Sequence, residues 1–261
     1  MSALAPAPPH VAASFLDTFG GAIEFIFTPR QSVGVGGDVG GLGQVGEFLA
    51  THVWISALAL AIAVAIALPI GVYLGHRGKG ELLAVAIGNA GRAIPELALI
   101  ALMVAFIGVG VLNVTIALLI LGLPPILTNA FVGIRQVDRT AVEAARGMGM
   151  TEFEVIRKVE FPLAVPTIMG GVRTGAINIV ATAAIAPLAG VVTLGDFILN
   201  RNVYGEEGVL AGAILVALLA LAVELGLAGL QRLLTPKGVR AQVPHSLFGW
   251  RFARRSVNAE A

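Results

Sequence analysis

Few side chains in this 261-residue chain could carry covalent chemistry, and their spacing argues against it. With no cysteine, thiolate nucleophiles, thiolate metal sites and disulfides are excluded. His10, His52, His76 and His245 have no metal-ligand spacing. No Ser/His/Asp set, His-x-x-x-His run or pair of acids within an apolar stretch points to a hydrolase. Two glycine patterns come near to phosphate-binding loops. A Walker A loop would need Gly at position 73 and Ser or Thr at position 80 around Gly78-Lys79, where Tyr73 and Gly80 stand. Gly41-Leu42-Gly43-Gln44-Val45-Gly46 matches Gly-x-Gly-x-x-Gly, but no strand is expected before it and no βαβ unit fits around it, so it is read as loop.

What remains is a small set of polar groups inside long apolar runs. Ionisable residues there are costly and default to functional hypotheses. Arg92 and Glu96 flank Pro95. They read either as functional or as structural, paired across the break or lying near headgroups. Arg173 and Glu224 each fall about seven residues from one end of an apolar segment, hence at similar depth at about 1.5 Å per residue, and are expected to pair between helices. Thr174, Asn178 and Thr182 recur every fourth residue beside Gly171 and Gly175. That face suits a lining for a polar solute and equally a packing seam between helices, where small residues and hydroxyls are common. Asn129, near Pro124-Pro125, carries the same two readings.

The elements that must position these groups are membrane helices. Hydrophobic residues make up 57% of the chain and charged ones 13%, about half the share of a soluble domain. Residues 53–75 and 97–134 hold no charge at all. A soluble fold is excluded, and a net charge of +1 argues against a nucleic-acid partner. At about 20 apolar residues per crossing, the sequence predicts five spans: Val53–Gly75, Leu82–Gly110 broken near Pro95, Leu112–Phe131, Pro166–Pro187 and Val209–Leu230. Ahead of them, residues 14–28 read as an amphipathic helix too short to cross, with Phe15, Phe19, Ile23 and Ile26 on the face laid into the interface. Met1–His10 has neither the cations nor the apolar run of a signal peptide and reads as a loose tail. Residues 29–46 read as a glycine-rich loop.

Of the 17 cations, Arg30 and Arg201 fall on one side of the membrane, Arg92 and Arg173 lie within apolar stretches, and the rest share the other side. By the positive-inside rule that side is cytoplasmic, with the N-terminus outside and the C-terminus inside. Three parts follow: an extracytoplasmic segment 1–52, a membrane domain 53–234 and a basic cytoplasmic tail 235–261. The tail reads as a solvated end, with contact to anionic lipid or to a partner as the sharper option.

Residues 138–162 are too patterned for a connector. Ala141, Ala144, Ala145 and Met148 give one short helix a small-residue face, and Gly147 and Gly149 let the backbone turn. Thr151 with Glu154 is a capping box for a second short helix. Phe153, Ile156 and Val159 supply its apolar stripe, and Pro162 is expected to stop it. Two short helices at an angle beneath the membrane form an element that another protein can grip. Glu143-Ala144-Ala145, then Gly149, then Val159-Glu160-Phe161-Pro162 resembles the EAA signature of the permease subunits of bacterial ATP-binding-cassette importers, with Val159 and Phe161 in place of the usual Ile and Leu. The resemblance covers about 53–234. Within that family, Gly75–Gly80, Arg92–Ala98 and Leu194–Ile198 resemble permeases for glycine betaine, carnitine and choline.

The resemblance implies an all-α permease of the type I importer fold, similar to methionine permeases, in the bacterial inner membrane. It implies a second permease, identical or sister, two cytoplasmic ATPases that hold ATP and Mg and grip the signature segment, and an extracytoplasmic binding protein. This chain itself would hold no cofactor. An aromatic cage for a quaternary ammonium group is not visible in the scattered Trp54, Tyr73, Tyr204 and Trp250, so the solute rests on the resemblance. An importer for another amino-acid or amine derivative and a self-sufficient secondary transporter are the rival readings.

Overall fold

The computed structural model describes residues 15–236 and 238. The expectations for Met1–His10 and for most of the basic tail lie outside the described residues, as does the side chain of Arg92. The elements are α1 (Phe15–Phe27), β1 (Pro29–Gln31), β2 (Asp38–Gly40), α2 (Gly41–Arg77), α3 (Glu81–Ala93), α4 (Glu96–Ile107) and α5 (Val111–Arg135). There follow α6 (Arg139–Gly147), α7 (Glu152–Val155), a π turn (Ile156–Glu160), α8 (Phe161–Ala183), a 3-10 turn (Ala186–Ala189), α9 (Gly195–Leu199) and α10 (Arg201–Leu234).

Three helices make the centre, and small residues let them meet. On α2 the buried positions Ile55, Ala59, Ala63, Ala67, Gly71 and Gly75 recur every fourth residue. A Cβ placed on Gly71 would lie 2.6 Å from the Ala130 Cβ and 2.7 Å from the Leu127 carbonyl oxygen of α5. A Cβ on Gly171 of α8 would meet the Pro125 carbonyl oxygen at 2.6 Å. In lipid no hydrophobic effect drives helices together, so close backbone approach supplies the attraction. α10 packs on the flank of α8, and α3 and α4 pack on α5.

Four helical stretches among the described residues are long and apolar enough to cross a bilayer: Gly41–Arg77, Val111–Arg135, Glu152–Ala183 and Arg201–Leu234. The expected second span is two helices, α3 and the twelve-residue α4, because Pro95 lacks an N–H and holds Ile94 extended (φ −78°, ψ 119°). At about 1.5 Å per residue, α4 alone falls well short of the hydrocarbon thickness.

The structure corrects several sequence expectations. The first span begins at Gly41, not Val53. Gly40 and Gly41 turn the chain at positive φ (82° and 75°), and Val45 and Phe48 are then buried on the helix, which outweighs the low helix propensity of Gly43 and Gly46. Residues 29–31 and 38–40 form a two-stranded antiparallel hairpin rather than loop. A strand therefore does precede the Gly-x-Gly-x-x-Gly run, but it belongs to this hairpin and to no βαβ unit. α1 does not lie free. Its buried residues are Ala22, Phe25 and Ile26, whereas Phe19 and Ile23 are exposed. Phe25 meets Phe197 and Tyr204 edge to face at ring centroid distances of 5.3 and 6.2 Å, and Phe48 stacks obliquely on Phe197 at 4.8 Å. Arg30 fastens the hairpin by donating to the Tyr204 carbonyl at 3.0 Å and to Glu207 at 3.1 Å. Finally, Pro162 does not stop the second short helix: α7, the π turn and α8 run on continuously. The π turn is closed by the Phe161 N–H donating to the Ile156 carbonyl, five residues back. This wider turn lets the chain continue through a residue that has no N–H to give.

Candidate docking and coupling site

The docking element starts where Asp138 caps α6, its side chain accepting from the Thr140 N–H at 2.9 Å. α6 buries Val142 and Ala145 against Ile134, Val155, Ala164 and Ile168. Glu143, Ala144 and Met148 face out. The expected small-residue face is therefore split: Ala145 anchors the helix, and Ala144 and Met148 present its outer surface. Gly149 sits at φ 83°, a conformation that a side chain strains, and it makes the elbow. Gly147 keeps helical backbone, so only one of the two glycines serves the turn.

Beyond the elbow, Thr151 accepts from the Glu154 N–H while Glu154 accepts from the Thr151 N–H at 3.1 Å, completing the capping box. Lys158 donates to Glu154 at 2.7 Å. Lys158 first, and then the Thr151 bonds, hold the Glu154 carboxyl down to about 2. Val155 is buried, Ile156 and Val159 are half-buried, and Phe153 is 69% exposed. The packed stripe is thus Val155 with Val159. Phe153 does not belong to it and projects outward, lining a surface depression with Tyr73, His76 and Arg77.

One cluster had no counterpart in the sequence reading. Glu160, at the end of the π turn, is fully buried. Its Oε2 lies 2.6 Å from His76 Nδ1, at the end of α2. His76 Nε2 lies 3.0 Å from Glu152 Oε2. Glu152 accepts two bonds from Arg146 of α6, at 3.1 and 2.9 Å, and this guanidinium holds its carboxyl below the usual range. The signal available in the sequence was an acid set between the apolar Val159 and Phe161 where the chain turns into the bundle.

The other candidate residues do not converge. Glu96 is exposed in the first turn of α4. Asn129 donates to the Pro125 carbonyl at 2.8 Å, and its Cβ lies against Gly171, inside the α5–α8 seam. On α8, Thr174 is exposed and donates to the Gly170 carbonyl at 3.0 Å, Asn178 is half-buried, and the buried Thr182 hydroxyl has no partner among the described residues. No hydrogen bond among the described residues joins any two of these five. Arg173 pairs with Glu224 across α8 and α10 and also donates to Gln231 Oε1 at 2.9 Å. Gln231 in turn donates to the Pro166 carbonyl at 3.4 Å. No three His, Asp or Glu side chains gather to hold a metal among the described residues.

Residues 67–237 match the family described as the binding-protein-dependent transport system inner membrane component. The chain belongs to this family. The match takes in the end of α2 and α3 to α10, and leaves α1, the hairpin and residues 41–66 of α2 outside it. A carnitine transport permease protein of Listeria monocytogenes is 41% identical over 190 residues, covering 72% of this chain and 87% of that one. A glycine betaine/carnitine/choline transport system permease protein of Bacillus subtilis is 37% identical over 190 residues, covering 72% and 88%. The fold is that of the permease in an inward-facing methionine ABC transporter, with TM-score 0.65 and 21% identity over 75% of this chain and 98% of that one. The protein is therefore a multi-pass permease of the inner membrane.

Proposed function

We propose that this permease forms the path by which an ATP-driven importer takes up a small quaternary amine such as glycine betaine, choline or carnitine. The observation that carries this reading is the 41% and 37% identity, over 72% of the chain, to permeases named for those solutes. Two permeases, identical or sister, would enclose the path. Two ATPases would hold ATP and Mg and grip α6–α7 through Ala144, Met148 and Phe153, and a binding protein would deliver the solute from outside. The cation-rich end with α6 and α7 is then cytoplasmic, and the aromatic cluster of Phe25, Phe48, Phe197 and Tyr204 is extracytoplasmic. The chain itself is non-catalytic and needs no cofactor.

Recognition is assigned to the binding protein. Phe25, Phe48, Phe197 and Tyr204 do gather, but they are buried on one another, and Arg30 lies 4.9 Å above the Phe25 ring, so the cluster is a filled core rather than an open cage. Glu143, Ala144, Ala145, Gly149, Thr151, Phe153, Val159 and Pro162, in the segment 138–162, are assigned to docking and to holding its shape. Thr174, exposed on α8, and the half-buried Asn178 are assigned to the path, while Asn129 serves packing. Proteoliposomes holding the permease, its ATPase and its binding protein test the reading. ATP-dependent uptake of labelled glycine betaine, choline or carnitine is the expected result. Uptake of methionine alone, or ion-driven uptake without the ATPase, would overturn it.

A further inference from the structure

α6 and α7 are covalently joined to α5 and α8, but they also reach α2, and they do so through charge. Between α2 and the docking element the ion pairs are those of His76 with Glu160 and with Glu152. Around His76 the charged groups are Glu160 on the π turn, Glu152 on α7, Arg146 on α6 and Arg77 beside it on α2. The His76 side chain is only 7% exposed, and the Glu160 side chain is fully buried. Both ring nitrogens thus face a carboxylate oxygen within 3.0 Å. A neutral imidazole has one N–H and one lone pair, and the lone pair would repel whichever carboxylate it met. Two ionised carboxylates are both satisfied by an imidazolium, which has two N–H groups. Leaving an ionised Glu160 without that cation would strand a buried charge, which is strongly unfavourable.

The π turn belongs to the same device. It admits one extra residue, so side chains on its two sides are rotated by about 100° relative to an unbroken helix. Glu160 ends that turn and is aimed inward at α2 while Arg157 and Lys158, on the same turn, face out. Its Oε1 is buried and has no partner among the described residues.

We propose that His76 is a positioning residue for transport: a two-sided cationic clasp through which movement of α6–α7 is passed to α2 as well as to α5 and α8. This rests on the reading of α6–α7 as the ATPase-gripped element. The test uses the complete importer in proteoliposomes and counts ATP hydrolysed per solute moved. His76→Gln offers one donating and one accepting end. His76→Arg keeps a permanent cation with several donors. The expected result is that His76→Gln lowers uptake about tenfold with hydrolysis within about twofold of wild type, and that His76→Arg recovers uptake to within about threefold. Unchanged ATP per solute in His76→Gln, or equal loss in the Gln and Arg variants of an assembled complex, would overturn the clasp. Should His76→Gln fail to assemble, Glu152→Gln takes its place, since that side chain is 60% exposed. It removes the outer arm and is expected to raise ATP per solute about threefold; no rise overturns the proposal. Wild-type complexes run in parallel separate the two ideas. Absent uptake by wild type counts against the proposed function, whereas normal wild-type uptake with indifferent variants counts against the clasp alone.

Discussion

Arg173 and Glu224 tie α8 to α10 from opposite sides of their contact, and a charge swap measures what the tie contributes. Their side chains are 31% and 27% exposed, so the pair is neither fully buried nor a freely hydrated surface pair. Removing one partner of a fully buried pair costs about 3–5 kcal/mol, and an exposed pair is worth at most about 1 kcal/mol. An intermediate loss of about 2 kcal/mol is expected for Arg173→Glu or Glu224→Arg alone, enlarged by the new like-charge contact. Gln231 accepts from the same guanidinium at 2.9 Å, but its amide can donate instead, so it tolerates either charge at position 173. The double variant Arg173→Glu/Glu224→Arg should therefore recover most of the loss. In a protein of this size 1 kcal/mol moves Tm by about 2–4 °C. Thermal unfolding in detergent, followed by the fraction eluting as monodisperse permease, is expected to show a fall of about 4–8 °C in each single variant, most of it regained in the double. A double variant as unstable as the sum of the singles would refute the pairing as an energetic contact and leave only proximity.

Two further outcomes follow from local geometry. Gly71→Ala puts a methyl group 2.6 Å from the Ala130 Cβ and 2.7 Å from the Leu127 carbonyl oxygen, neither of which can rotate away, so α2 must separate from α5; the expected cost is about 1–3 kcal/mol, read as a fall in the same thermal assay, and a neutral effect would refute the seam. Glu154 is held down to about 2, below its ordinary 4.5, so its contribution to the α7 cap is complete above the ordinary value and fades as pH falls toward about 2. Carboxyl NMR of the labelled protein should find that midpoint, and Lys158→Met should raise it; an ordinary midpoint in wild type contradicts the capping geometry.

Local rules made much of the docking element legible before any coordinates. A capping box is a contact between residues three apart, so Thr151 and Glu154 announce it in sequence. Pro95 breaks the second apolar stretch for a reason internal to proline, and that break is present. The pairing of Arg173 with Glu224 required only equal depth on two helices. The failures were tertiary. The helicity of 41–46 depends on Val45 and Phe48 finding Phe25 and Phe197, 20 or more residues before and more than 140 residues after them. The buried face of α1 is likewise set by α9 and α10, which rotate Phe25 inward in place of Phe19. Pro162 looked like a stop because a regular α-helix has no room for it, and nothing in the spacing announces a π turn.

The same distinction explains why the coupling route escaped the sequence. Gly71 and Gly75 on α2 and Gly171 and Gly175 on α8 bring three backbones into direct contact with α5 between them. Contacts of this kind leave no flexible side chain to absorb a displacement, so α2, α5 and α8 must move together or change register as rigid bodies. A rigid trio can be driven from any of its ends. The docking element is fused to α5 and α8, and a load applied there alone would tilt those two helices against α2 and shear the Gly71 and Gly75 contacts. A link from α6–α7 to the end of α2 removes that shear by loading all three helices at once. His76 stands one residue beyond Gly75, and it meets carboxylates from both α7 (Glu152) and the π turn (Glu160). The capping residues of the signature segment are legible because they lie three positions apart, whereas His76 and Glu160 are 84 positions apart and meet only in the folded chain.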